Sequence, residues 1–83
     1  MKMQPIHPGE VIADYLQFRD WSQMDFARRM GVTPKYVCEL IAGKARLTVK
    51  QALKLEYVLN RPAHFWLNIQ QRWDLAEARK HPP

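Results

Sequence analysis

The sequence is poor in the residue types on which most catalytic, metal-binding and secreted proteins depend. One cysteine among 83 residues excludes an intramolecular disulfide. It also points to a reducing compartment, because a secreted chain this small usually needs covalent staples. The three glycines stand singly at positions 9, 31 and 43, so there is no glycine-rich phosphate loop. The histidines, His7, His64 and His81, are too scattered to share a metal, and neither H-E-x-x-H nor Cys-x-x-Cys spacing occurs. No nucleophile elbow and no carboxylate pair set with a histidine is visible, so neither an enzyme nor a cofactor is expected. Long apolar runs are lacking too. Nothing approaches the length that spans a bilayer, and the opening residues hold Pro5, His7, Pro8 and Glu10 instead of the apolar core of a signal peptide. The expected location is the cytoplasm. No segment alternates with a two-residue period, which argues against any sheet.

Acidic residues are also in short supply, eight against thirteen Lys and Arg, giving a formal charge of +5. The surplus is local. Between Arg28 and Lys50 the cations are Arg28, Arg29, Lys35, Lys44, Arg46 and Lys50, and the one anion is Glu39. Six against one equals the charge of the whole chain, so the remaining residues balance. A concentrated basic window is what a phosphate-binding surface requires; a solvated basic face that only aids solubility is the plainer alternative.

That window overlaps the most ordered pattern in the chain, SQMDFARRMGVTPKYVCELIAG at residues 22–43. Ser22 and Asp25 form the S-x-x-D start of a helix, and Phe26, Ala27 and Met30 follow on one face. Gly31 is placed to end it with positive φ. Thr33 then caps a second helix whose first position is Pro34, where a missing N–H costs nothing. Val37, Leu40 and Ile41 mark its buried side, and Gly43 stops it. Two short helices joined so briefly must cross steeply, with the small Ala27 at the approach. The pattern is a helix-turn-helix whose second helix can enter a DNA major groove.

The flanks complete an all-α fold of five helices in one domain, since a chain this length buries only about 60–65% of its unfolded surface. Residues 1–7 read as an extended arm. Pro8 opens a first helix with Glu10 near its positive end and Val11, Ile12, Tyr15, Leu16 and Phe18 inward. His7 is its entry residue. Thr48 and Gln51 form a second capping box, opening a helix with Ala52, Leu55, Val58 and Leu59 inward. A last helix runs from Pro62 to about Arg79. It carries Phe65, Trp66, Ile69, Trp73 and Ala76 on one face and Leu67 and Leu75 on another. A rim helix needs one apolar stripe. The surplus is expected to bury against a second copy of the chain, with Phe65, Leu67, Trp73 and Leu75 as dimer contacts; a wider contact within one chain is the alternative.

Several motifs together, HPGEVIADYL, the helix-turn-helix from Ser22 to Gly43, GKARLT and FWLNIQQRWDL, resemble HigA-type antitoxins of the Xre and phage-repressor class. The likeness covers roughly residues 6 to 79, and the outer motifs are more specific than the central one. It implies a dimeric, all-helical repressor of its own operon that neutralises a ribonuclease toxin encoded beside it. One departure stands out: Arg61-Pro62-Ala63-His64 lacks the side-chain cap and following acid with which such chains often open the last helix, a loss of about 1 kcal/mol.

Candidate DNA contacts follow from residue chemistry. Gln23 stands where related repressors set an amide against a phosphate. Thr33, Pro34, Lys35, Tyr36 and Glu39 occupy the exposed start of the second helix of the motif. Lys35 can donate to guanine O6 and N7, Glu39 can accept from cytosine N4 or pair with Lys35, Thr33 can meet a phosphate or a thymine methyl, and the Tyr36 hydroxyl can reach the backbone. Lys44 and Arg46 read as phosphate clamps. Cys38 is expected to be a small, partly buried packing residue rather than a redox switch. The chain offers no disordered neutralising tail, so a toxin is expected on a folded surface around Ile6, Glu10, Asp14 and Arg19, where Glu10 and Asp14 share one face. A stand-alone repressor without a toxin, and an interaction module that no longer binds DNA, remain the other readings; the basic window speaks against the second.

Overall fold

The computed structural model describes residues 5–81. Residues 1–4 of the expected arm, and the two prolines expected to stop the last helix with His81, lie outside that range. Five helices follow in order: α1 (Pro8–Arg19), α2 (Gln23–Met30), α3 (Pro34–Ile41), α4 (Val49–Val58) and α5 (Ala63–Lys80), with no strand among the described residues. The all-α expectation and the element order hold.

Each start has an identifiable chemical cause. At α2 the Ser22 hydroxyl accepts from the Asp25 N–H at 3.0 Å, and the Asp25 carboxylate accepts from the Ser22 N–H at 3.0 Å. The Ser22 backbone N–H, and after it the Ser22 hydroxyl, favour the charged carboxylate and hold the Asp25 carboxyl below the usual aspartate range. At α3 the Thr33 hydroxyl accepts from the Tyr36 N–H at 3.1 Å. The entry residue of α1 proves to be a full cap: His7 Nδ1 accepts from the Gly9 N–H at 2.9 Å while the Glu10 carboxylate accepts from the His7 N–H at 3.1 Å. Burial lowers the pKa of this imidazole, against the opposing influence of the Ala45 backbone and of Glu10 and Asp74. A neutral ring is what the cap requires, since Nδ1 must keep its lone pair.

Two starts differ from expectation. The box at α4 is half formed: Thr48 accepts from the Gln51 N–H at 3.2 Å, but the Gln51 side chain does not return the bond, and its Oε1 is buried without a partner. At α5, Pro62 occupies the cap position and makes no side-chain capping bond. The missing acid comes instead from α4, where the Glu56 carboxylate accepts from the Ala63 N–H at 2.7 Å. The expected penalty at this end is therefore offset by a residue seven positions earlier, across the turn at Asn60 (φ 57°).

The core is Ile12 and Leu16 from α1, Phe26, Ala27 and Met30 from α2, Val37 and Leu40 from α3, Leu47 from the loop, Ala52, Leu55 and Leu59, and Ala63 and Trp66 from α5. Ile41 and Val58 are half-buried at its edge. Phe18 was expected inward and is 88% exposed. It lies two residues beyond Leu16, about 200° around the helix, so burying Leu16 turns Phe18 to solvent. Gly9, where α1 crosses α3, is buried against the Leu40 carbonyl and Ile41 Cα, leaving no room for a Cβ. This contact fixes α1 on the back of α3 and leaves the opposite side of α3 open.

Candidate nucleic-acid interface

The open side of α3 follows from what its inner side buries. Val37 and Leu40 are fully enclosed, which turns Thr33, Pro34 and Lys35 to solvent and leaves Tyr36 and Glu39 half-buried at the margins. Cys38 is a correction: it is exposed, not packed. Its Cβ lies about 100° from that of Val37 and close to that of Lys35 on the helical wheel, so it joins the outer face. Gln23, the first residue of α2, is also exposed.

The basic window divides by what each cation touches. Lys35 and Lys44 are exposed and make no ion pair among the described residues. Arg29 stacks over the Trp21 ring at 4.1 Å, and Arg28 approaches Asp25 at 3.9 Å. Arg46 is held by Asp74 through two oxygens, at 3.0 and 2.9 Å. The segment after α3 is gripped from several sides. The Tyr36 hydroxyl donates to the Arg46 carbonyl at 3.2 Å, and the Leu47 N–H donates to Gln70 Oε1 at 2.7 Å. Gln70 Nε2 in turn donates to Asp74 Oδ1 at 2.9 Å. Tyr36 is thus tied to the protein's own backbone, and burial pushes its phenol pKa up.

Two of the four expected dimer contacts have partners inside the chain. Phe65 meets Trp66 edge-on at 4.9 Å beneath the Arg61 guanidinium, and Trp73 meets the His7 ring at 5.1 Å. Leu75 is 46% exposed, and half-buried Leu67 lines an open groove of about 560 Å³ with Leu47, Val49, Gln71 and Asp74. Around α1, Glu10 serves the cap. Arg19 donates to the Leu59 carbonyl at 3.4 Å and lies over the Tyr15 and Trp21 rings. Ile6 and Asp14 are exposed.

Sequence reasoning passed over Gln70 and Asp74, and it set Cys38 on the packed side of α3 when it is exposed. The signal for Gln70 was available: an amide four residues after Trp66 and three before Trp73 stands on the inward face of α5, where an apolar residue is the default. For Cys38 the signal was its helical angle.

No family model matches the chain. It is 41% identical over 73 residues to the uncharacterized HTH-type transcriptional regulator YddM of Escherichia coli K12, covering 88% of this chain and 78% of that one. It is 35% identical over 79 residues to the antitoxin HigA-1 of Vibrio cholerae, covering 94% and 74%. Among solved structures, the Pseudomonas aeruginosa antitoxin HigA with higBA promoter superposes with a TM-score of 0.86 at 30% identity, over 90% of this chain and 83% of that one. A capped two-helix motif, an open recognition face and kinship along nearly the whole chain agree: this protein belongs to the HigA family of helix-turn-helix antitoxins.

Proposed function

We propose that this chain binds operator DNA as a homodimer, represses its own operon and neutralises a partner ribonuclease toxin. The observation that carries the DNA reading is the arrangement at α3. Its capped N-terminal end presents Thr33, Pro34 and Lys35 to solvent, and beside it a pinned loop holds Lys44 and Arg46. Base edges fall to α3 and phosphates to the loop and to Gln23 at the start of α2, a division that gives both register and sequence readout. The neutralising role rests on family membership. A toxin that docks away from α3 leaves both activities compatible in one complex, and Ile6, Glu10 and Asp14 are the exposed members of the surface at and before α1 proposed for it.

Titration of a duplex carrying the promoter of its own gene, beside a scrambled duplex of equal length, tests this reading. The protein is expected to protect an inverted repeat whose half-sites lie about 34 Å apart, and to prefer the promoter by at least ~1000-fold at physiological salt. Equal affinity for the two duplexes rejects sequence-specific repression. Co-expression with the product of the adjacent gene separates the remaining readings: a stable complex that still shifts the promoter supports the antitoxin role, and failure to associate leaves a stand-alone repressor.

A further inference from the structure

The loop between α3 and α4 contributes the phosphate-clamping residues, yet its geometry is set by α5. Leu47 is 1% exposed and its N–H is bonded to Gln70 Oε1 at 2.7 Å. An apolar residue at position 70 would leave that amide without an acceptor, so a buried glutamine in an otherwise apolar face has a specific task. Gln70 is itself 3% exposed, and its other end donates to Asp74 Oδ1 at 2.9 Å. Asp74 then takes the Arg46 guanidinium by both oxygens, at 3.0 and 2.9 Å. The chain of contacts runs from the α5 interior through two side chains to a guanidinium on the rim of the recognition face.

Stability is a poor explanation for the outer half of this chain. The Arg46 side chain is 66% and the Asp74 side chain 35% exposed, and ion pairs in such surroundings contribute little to folding. What a two-point carboxylate grip does supply is direction. An arginine has five N–H donors in a rigid plane. With one on each terminal nitrogen given to Asp74, three remain, and the plane is fixed before any DNA arrives. A long side chain that is already ordered loses less freedom when it closes on a phosphate.

We propose that Gln70 and Asp74 are positioning residues for DNA binding: Gln70 fixes the backbone of the clamp loop, and Asp74 aims Arg46 at the operator backbone. This rests on the DNA-binding reading above. It reverses the sign that charge alone predicts. Removing an acid beside a phosphate-binding surface should tighten binding by reducing repulsion, whereas removing a buttress should weaken it.

The test uses the full chain and the promoter duplex across a range of salt concentrations. Asp74→Ala suits the helix and is expected to melt close to the unmodified protein. Its promoter affinity is expected to fall about five- to tenfold, and its salt slope to shrink by about one, as for a lost phosphate contact. Asp74→Glu keeps the charge and is expected to recover most of the affinity. In an Arg46→Ala background, Asp74→Ala should have no further weakening effect, because the residue it aims is gone. Unchanged or tighter binding by Asp74→Ala, or a full additional loss in the Arg46→Ala background, overturns the proposal. Absence of promoter selectivity in the unmodified protein would instead remove the DNA-binding reading on which it stands.

Discussion

Gly9→Ala is expected to be among the most damaging substitutions in the chain, although it adds a single methyl group. The new Cβ would drive into the Leu40 carbonyl and the Ile41 Cα, backbone atoms of α3 that cannot rotate away. Relief requires α1 to lift from α3. That movement disturbs the packing of Ile12 and Leu16, both buried, and the His7 cap immediately before them. Overpacking of this kind costs about 1–3 kcal/mol, and contact with backbone places Gly9 at the upper end. For a domain of this size the melting temperature should fall by roughly 10–20 °C. Gly31→Ala makes the control, because no atom lies within 4 Å of its added Cβ and the burden is confined to its positive φ of 67°. Its cost should be nearer ~1 kcal/mol. Thermal unfolding followed by circular dichroism compares the two, and a Gly9→Ala protein as stable as Gly31→Ala would show that α1 does not need this close approach.

Leu75→Asp is expected to leave the fold intact and remove most operator binding. The side chain is exposed on the outer flank of α5, beyond the groove lined by Leu67 and Val49. A surface change of this kind usually alters stability by less than about 0.5 kcal/mol. In a two-fold assembly it would set two carboxylates into one apolar contact. Loss of the dimer forfeits the effective concentration that joins the two half-sites, a factor of about 100 to 10,000 in affinity. Sedimentation of both proteins at tens of micromolar, paired with promoter titration, reads the result. An unmodified protein that is monomeric would contradict the dimer, and Leu75 would then be an apolar residue left exposed on the surface.

Local chemistry made most of the fold legible. The caps at Ser22, Thr33 and Thr48, the stop at Gly31 and the spacing of the buried residues are all encoded within a few positions of where they act. The discrepancies arose where partners are distant or where a face had to be chosen. Phe18 and Cys38 have apolar character, but the helical angle set by fully committed neighbours decides their exposure. Glu56 caps α5 from the preceding helix, a bond that no N-cap pattern records because the acid comes before the proline. Arg46 and Asp74 are 28 positions apart, and Leu47 and Gln70 are 23 apart, so a tally of local charge counts Arg46 as unengaged. The surplus of apolar residues on α5 was readable, but its division was not. Phe65 meets its neighbour Trp66 within α5 itself, whereas Trp73 turns to His7, a contact that becomes visible only once α5 is seated on the bundle.

The central claim is that α3 reads bases while the loop beside it holds phosphates, and a comparison of Lys35→Ala with Arg46→Ala on matched promoter and scrambled duplexes tests it most directly. Lys35→Ala is expected to reduce the preference for the promoter by about 1–3 kcal/mol, focused on one base pair of each half-site, while its affinity for the scrambled duplex changes little. Arg46→Ala is expected to weaken both duplexes alike and reduce the salt slope by about one. If Lys35→Ala instead lowers binding to both duplexes equally, Lys35 is a phosphate contact, and the base-reading role assigned to the exposed start of α3 is contradicted.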